Sequence, residues 1–147
     1  MSMTTSRRKF RNGAYPFGGL FLIAILAIAY VDMLVGAESG TDVAVSSLLC
    51  AASMTLAFRS FLWTAVIAEA GGVLVRNPFR TLRFTWGEVN AFRAEDRVII
   101  ETADGVEVRC WAVQRANIAR ILKRRSYVDA VVDDLRVMRE QYLGSGR

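Results

Sequence analysis

At 147 residues the chain has room for one small domain and an anchor, but not for two independent soluble cores. Its 53% hydrophobic content is high for a soluble domain, and the excess lies almost wholly before residue 69 and points to a bilayer, while the formal charge of +5 is spread so unevenly that its location matters more than its size. The absence of histidine removes the commonest general base and the commonest metal ligand.

Residues 1–15 carry Arg7, Arg8, Lys9 and Arg11 with no acid and read as a basic cytoplasmic tail. Pro16 opens an apolar run to Val35, roughly 28 Å long as a helix and close to the roughly 30 Å of a hydrocarbon core. Asp32 near its far end reads as interfacial. Gly36 to Asp42 reads as a turn, and a second apolar run follows from Val43 to Phe58. Arg59 is then placed to snorkel, with Phe61 and Trp63 at headgroup depth. Residues 16–63 therefore predict a two-helix transmembrane hairpin. Basic residues flank its two outer ends and none lies in its turn, so the positive-inside rule puts both termini in the cytoplasm, in a plasma (inner) membrane protein. The rival is a signal peptide cleaved near Val35-Gly36-Ala37, which the length of the apolar run opposes. Ser47, Ala51 and Thr55 recur at i, i+4 and i+8, a small-residue stripe suited to packing on the first helix, on a partner protein or on a second copy. Cys50 lies in this segment and Cys110 in a predicted strand, so both read as buried reduced thiols rather than a disulfide.

Residues 64–125 read as one folded domain. Thr64 to Glu69 predicts a strand that turns at Ala70-Gly71-Gly72 into Val73 to Arg76, and the Asn77-Pro78 turn leads to Thr81 to Trp86. Glu88 to Arg93 follows, and Arg97 to Thr102 with Val106 to Ala112 form a hairpin around Asp104-Gly105. On the last strand Val106, Val108, Cys110 and Ala112 share one face and Glu107, Arg109 and Trp111 the other. Six consecutive strands predict an antiparallel meander. The period then changes: Val113 to Arg125 predicts a helix with Ile118, Ile121 and Leu122 on one side. Ser126 with Asp129 resembles a helix start, and Val128, Val131, Val132, Leu135, Met138 and Tyr142 stripe a C-terminal amphipathic helix and tail over 126–147.

Gly72 to Arg80 (GVLVRNPFR) and then Trp86-Gly87-Glu88-Val89 resemble the small bacterial PH-domain membrane proteins common in actinobacteria. The resemblance spans roughly residues 10–135. It implies a membrane α-helical hairpin plus an α+β PH-like domain, an antiparallel β-roll closed by a C-terminal helix. The chain departs from that plan in two respects. Six strands are found where a full PH roll has seven, and the loop Glu69 to Gly72 lacks the lysines and arginines with which phosphoinositide-binding members surround their first hairpin.

No nucleophile with a base, no apolar pair of carboxylates, no phosphate loop and no metal-ligand spacing is found, so the chain reads as non-enzymatic, with no cofactor and no metal. Trp86 shares an apolar face with Leu82 and Phe84 and reads as core. Trp111 reads as an exposed ring that could meet headgroups, a partner or the last helix. Two basic groups remain: Arg76, Arg80 and Arg83 around the second hairpin, and Arg120, Lys123, Arg124 and Arg125 at the end of the first C-terminal helix. They suit anionic phospholipids or a partner surface, against the plainer reading of a solvated face. Nucleic acid is excluded as a partner, since no base-stacking motif accompanies the charges. The expectation is a membrane-anchored, non-catalytic PH-like adaptor that binds a protein partner or forms a homo-oligomer. The alternatives are a sensor of anionic headgroups and an accessory subunit of a transport or secretion complex.

Overall fold

The computed structural model describes residues 7–114 and 127–144. The predicted first C-terminal helix, with Ser126, lies largely outside these residues. The chain forms two compact units: one of residues 13–63, the other of residues 1–12 together with 64–147.

The first unit is a helical pair, α1 (Ala14–Val35) and α2 (Gly40–Ala57), the latter continued by a π-helical stretch, Phe58–Trp63. Helix α1 begins two residues before Pro16, whose missing N–H falls in the first turn, where no intrahelical acceptor exists. Helix α2 starts three residues earlier than its apolar run because Ser39 and Asp42 form a reciprocal cap. The Ser39 hydroxyl accepts from the Asp42 N–H at 3.2 Å, and the Ser39 N–H donates to the Asp42 carboxylate at 3.0 Å. Both helices are long and apolar enough to cross a bilayer, and they leave large side chains such as Phe17, Phe21, Ile28, Leu48 and Leu49 exposed. Between the helices, Ser47 donates to its own helix at Val43 O (2.7 Å), so the 2.8 Å contact with Tyr30 is a bond donated by the tyrosine. Gly19 is required by close approach: a Cβ there would lie 2.6 Å from Phe61 Cβ.

Among the described residues the second unit has seven antiparallel strands in two sheets. One has the order β1 (Arg8–Phe10), β2 (Ala65–Glu69), β3 (Gly72–Arg76), β4 (Thr81–Thr85), and the other β5 (Val89–Ala94), β6 (Arg97–Thr102), β7 (Glu107–Gln114). Helix α3 (Tyr127–Gly144) completes it. The strand absent from the six-strand reading is β1, drawn from residues expected as a tail. Arg8, Lys9 and Phe10 pair in register with Ala68, Ile67 and Val66, so the first connection of the sheet is residues 11–64, and Glu69–Gly72 is the second. Val113 and Gln114, expected to open a helix, instead extend β7.

Alternation sorts the side chains. Phe10, Val66, Val75 and Leu82 form one inward row across four strands, and Val73, Ala68 and Phe84 another. An irregularity between Val89 and Ala91 lets Val89 and Phe92, three apart, both reach the core. A second one near Arg97 and Val98 accounts for the consecutive burial of Ala112 and Val113. Val106, expected inward, precedes β7 and is exposed. The α3 stripe of Val128, Val131, Val132, Leu135 and Met138 is buried in the same core. Trp86 is buried as expected. Its indole N–H is shared between Glu69 O and Ala70 O at 3.0 Å each, while its ring stacks on Tyr142 at 5.7 Å. Arg136 donates to Phe92 O at 2.8 Å and Arg139 to Trp86 O at 3.4 Å, tying the helix to strand β5 and to the turn before it.

Candidate functional site

The two sheets are joined by side-chain and main-chain bonds at one edge. The Asn77 amide donates to Arg109 O (2.9 Å) and accepts from the Trp111 N–H (3.0 Å), and the Asn12 N–H donates to Ala112 O (2.9 Å). Asn77 is buried, so each bond satisfies a group that water cannot reach freely. Its role as a clamp was invisible in the sequence, where asparagine before proline reads as turn chemistry.

Two surfaces are built on this frame. The first is the outer face of the four-stranded sheet. Lys9, Ile67, Leu74 and Arg83 form one row across it, and Arg76 lies in the next row. Arg7 and Arg11 flank β1 and lie close enough to Lys9 to act on its charge, while Phe10 enters the core. Glu69 is the only acid in β1–β4; it meets Arg7 at 3.3 Å and Arg83 at 3.9 Å. The Lys9 ammonium is held below its ordinary range by desolvation and by Arg11, Arg76 and Arg7. This surface can accept an anion, since negative charge there relieves repulsion already present.

The second is a cleft of about 350 Å³ between the Asn77–Arg80 turn and β7, lined by Asn77, Pro78, Phe79, Arg80, Glu107, Arg109 and Trp111. Phe79 is 76% exposed and Trp111 42%. The Arg97 guanidinium stacks 4.5 Å from the centre of the Trp111 ring. Glu107 is engaged by Arg93, and Arg80 and Arg109 line the cleft with no ion pair shown to another of the described residues.

The expected basic group of Arg76, Arg80 and Arg83 is thus divided: Arg76 and Arg83 join the N-terminal cations on the sheet face, and Arg80 joins Trp111 in the cleft. Trp111 does not pack in the apolar stripe of α3, which is buried on the opposite, inward face of β7. Arg120, Lys123, Arg124 and Arg125 lie outside the described residues. The Ser47, Ala51 and Thr55 stripe is divided as well. Ser47 meets α1 through Tyr30, while Ala51 and Thr55 are exposed, and the face of α2 turned to α1 carries Ser47 and Cys50 instead. Cys110 is fully buried, and burial pushes its thiol up to about 12, which makes it inert at neutral pH. Among the described residues no group of His, Cys, Asp and Glu could hold a metal ion.

Residues 63–141, more than half of the chain, match the family model of the bacterial PH domain. The chain belongs to that family. No curated protein and no solved structure gives a match. The match takes in β2 to β7 and most of α3 but not β1, which this PH domain draws from the far side of the helical pair. Membership suggests a binding or adaptor role, and the two surfaces above are where such a role has chemistry to work with.

Proposed function

We propose that this is a two-pass plasma-membrane protein whose PH domain is a non-catalytic adaptor at the cytoplasmic face, engaging an acidic protein partner or a second copy through the outer face of its four-stranded sheet. The observation that carries the reading is the presence of Arg7, Lys9, Arg11, Arg76 and Arg83 on or beside β1–β4, strands that carry one acid, Glu69, itself paired with Arg7 and Arg83. Spanning is supported by the two apolar helices and by the charge pattern: four basic residues precede α1, Arg59 lies near the end of the second span, and the α1–α2 turn has no base. Anchoring raises the effective concentration of the domain toward other membrane proteins, so individually weak contacts suffice.

The test is purification of tagged full-length protein from native membranes in mild detergent, with mass spectrometry of whatever co-elutes. Wild type retains a stoichiometric companion or elutes as an oligomer, and the Lys9→Glu/Arg83→Glu double variant loses it. A companion retained equally by both would overturn the assignment of this face. A second reading, an accessory subunit of a membrane complex, is favoured by the exposure of Ala51 and Thr55 on α2. In that case Ala51→Leu, not the charge reversals, would release the companion.

A further inference from the structure

The cleft between the Asn77–Arg80 turn and β7 is not used by the adaptor reading, and one of its walls is an open stretch of strand edge. On β7 the Arg109 C=O and the Trp111 N–H point away from β6, since both are bonded to the Asn77 side chain. Main-chain groups two residues apart along a strand point the same way, so the Glu107 C=O and the Arg109 N–H face that side too, while the Val106 C=O faces the hairpin and accepts from Thr102. Asn12 covers this edge at Ala112, and Asn77 covers it at Trp111 and Arg109 with the bonds that a residue of a neighbouring strand would make. Among the described residues the cover stops there. The Asn77 N–H turns back onto Arg80 O at 2.9 Å, Pro78 has no N–H to offer, and β3 does not continue along β7.

The surroundings of the open edge select what can lie on it. Phe79 and Trp111 present exposed rings, the second oriented by the Arg97 guanidinium, and Arg80 and Arg109 supply cations. Glu107, the one acid among the lining residues, is engaged by Arg93, so the cleft favours negative charge. The edge itself offers a donor and an acceptor side by side. A phosphate or a free carboxylate serves only the Arg109 N–H and leaves the Glu107 C=O facing an anion, whereas an extended peptide supplies a C=O and an N–H at strand spacing. At about 350 Å³ the cleft is at the small end of the roughly 300–1,000 Å³ usual for ligand sites, which suits a short extended segment and not a folded domain.

We infer that the cleft takes an extended acidic segment of a partner protein, which adds as a strand to β7 at Glu107 and Arg109, directs a carboxylate to Arg80 and Arg109, and lays an apolar side chain against Phe79 and Trp111. The inference goes beyond the adaptor reading and stands without it, because it concerns a different surface of the PH domain and no feature of the helical pair. An adaptor with both surfaces can hold two proteins together.

The experiment uses full-length protein in phosphatidylcholine nanodiscs and a phage library of random dodecapeptides, with empty nanodiscs for counter-selection. Enriched peptides are expected to alternate Asp or Glu with apolar residues. The strongest of them, made synthetically, should lose affinity about tenfold or more in the Arg80→Glu/Arg109→Glu variant and bind unchanged to Lys9→Glu/Arg83→Glu. On wild type, where no variant has to fold, the peptide should slow hydrogen–deuterium exchange of the segment from Val106 to Trp111. A selection that enriches nothing, enriched peptides without acids, equal binding by the Arg80/Arg109 variant, or unchanged exchange of that segment would overturn the inference. Binding lost in Lys9→Glu/Arg83→Glu instead would also overturn it, while leaving the outer sheet face as the acid-binding surface of the adaptor. Slowing of the same segment by phosphatidylglycerol nanodiscs without peptide would give the cleft to lipid and overturn it as well.

Discussion

The helical pair and the PH domain dispose of their apolar side chains in opposite ways. In the domain, Val66, Val73, Val75, Phe92, Ile100 and Leu135 lie in a sealed core, and the outer row of the four-stranded sheet alternates from Lys9 through the apolar Ile67 and Leu74 to Arg83. In the helical pair, Phe17, Phe21, Ile28, Leu48 and Leu49 point outward, and the contacts between helices are made by glycine, serine and tyrosine. Hydrophobic burial drives the first arrangement and would oppose the second in water, whereas close backbone approach and interhelical hydrogen bonds suffice for helices in lipid. The outward apolar side chains of the helical pair suit lipid as the sealed core of the domain suits water. The chain joins them by opening one strand pair, β1 and β2, and inserting the helices between.

The contrast makes graded predictions. Gly72 lies at φ +149°, and a Cβ there would sit 2.0 Å from Phe84 O, so Gly72→Ala should destabilise the domain by about 4 kcal/mol or more and abolish the near-ultraviolet signal of Trp86. Phe92→Ala should cost about 3 kcal/mol in denaturant unfolding of the detergent-solubilised protein, because it opens a cavity under Trp86. Asn77→Ala should cost about 2 kcal/mol by leaving Arg109 O and Trp111 N–H without partners, and should loosen β7 from β3 before it affects the helices.

Cys110 sharpens the comparison through pH. Its folded thiol is pushed up to about 12, so as pH rises above about 9 the unfolded chain loses its proton first and the folded state is penalised. Stability should therefore fall from about pH 9 toward pH 12, by on the order of 1 kcal/mol at pH 10, and Cys110→Ala should remove that slope. Last, Leu48→Ala on the outward side of α2 should change stability by less than about 0.5 kcal/mol, the opposite of Phe92→Ala. A loss as large as that of Phe92→Ala would mean that the outward helix faces are not lipid-facing.

The parts of this arrangement that were legible in the sequence are those carried by local patterns. The apolar runs marked both helices, alternation and Asp104-Gly105 marked β6 and β7, and the α3 stripe marked its buried face. The parts that were not legible depend on distant pairing. β1 is three residues long, too short for a period to register, and its partner lies more than 50 residues away, so its basic side chains read as a tail. The missing seventh strand was the one available hint. The same blindness grouped Arg76, Arg80 and Arg83 by proximity in sequence, although the Asn77 turn sends Arg80 to a different surface from the other two. Phe79 gave no signal at all, since one apolar residue after a proline is ordinary until its exposure is known.

The central claim, a PH domain completed by a strand from before the helical pair, is tested most directly by hydrogen–deuterium exchange of the full-length protein in lipid nanodiscs, followed on the peptide covering residues 8–12. Pairing of Arg8–Phe10 with β2 and the bond from Asn12 N–H to Ala112 O predict exchange as slow as that of β2 and β3, accelerated together with them by Phe10→Asp. Exchange of that peptide at the rate of an unstructured tail, with β2 and β3 still protected, would contradict it.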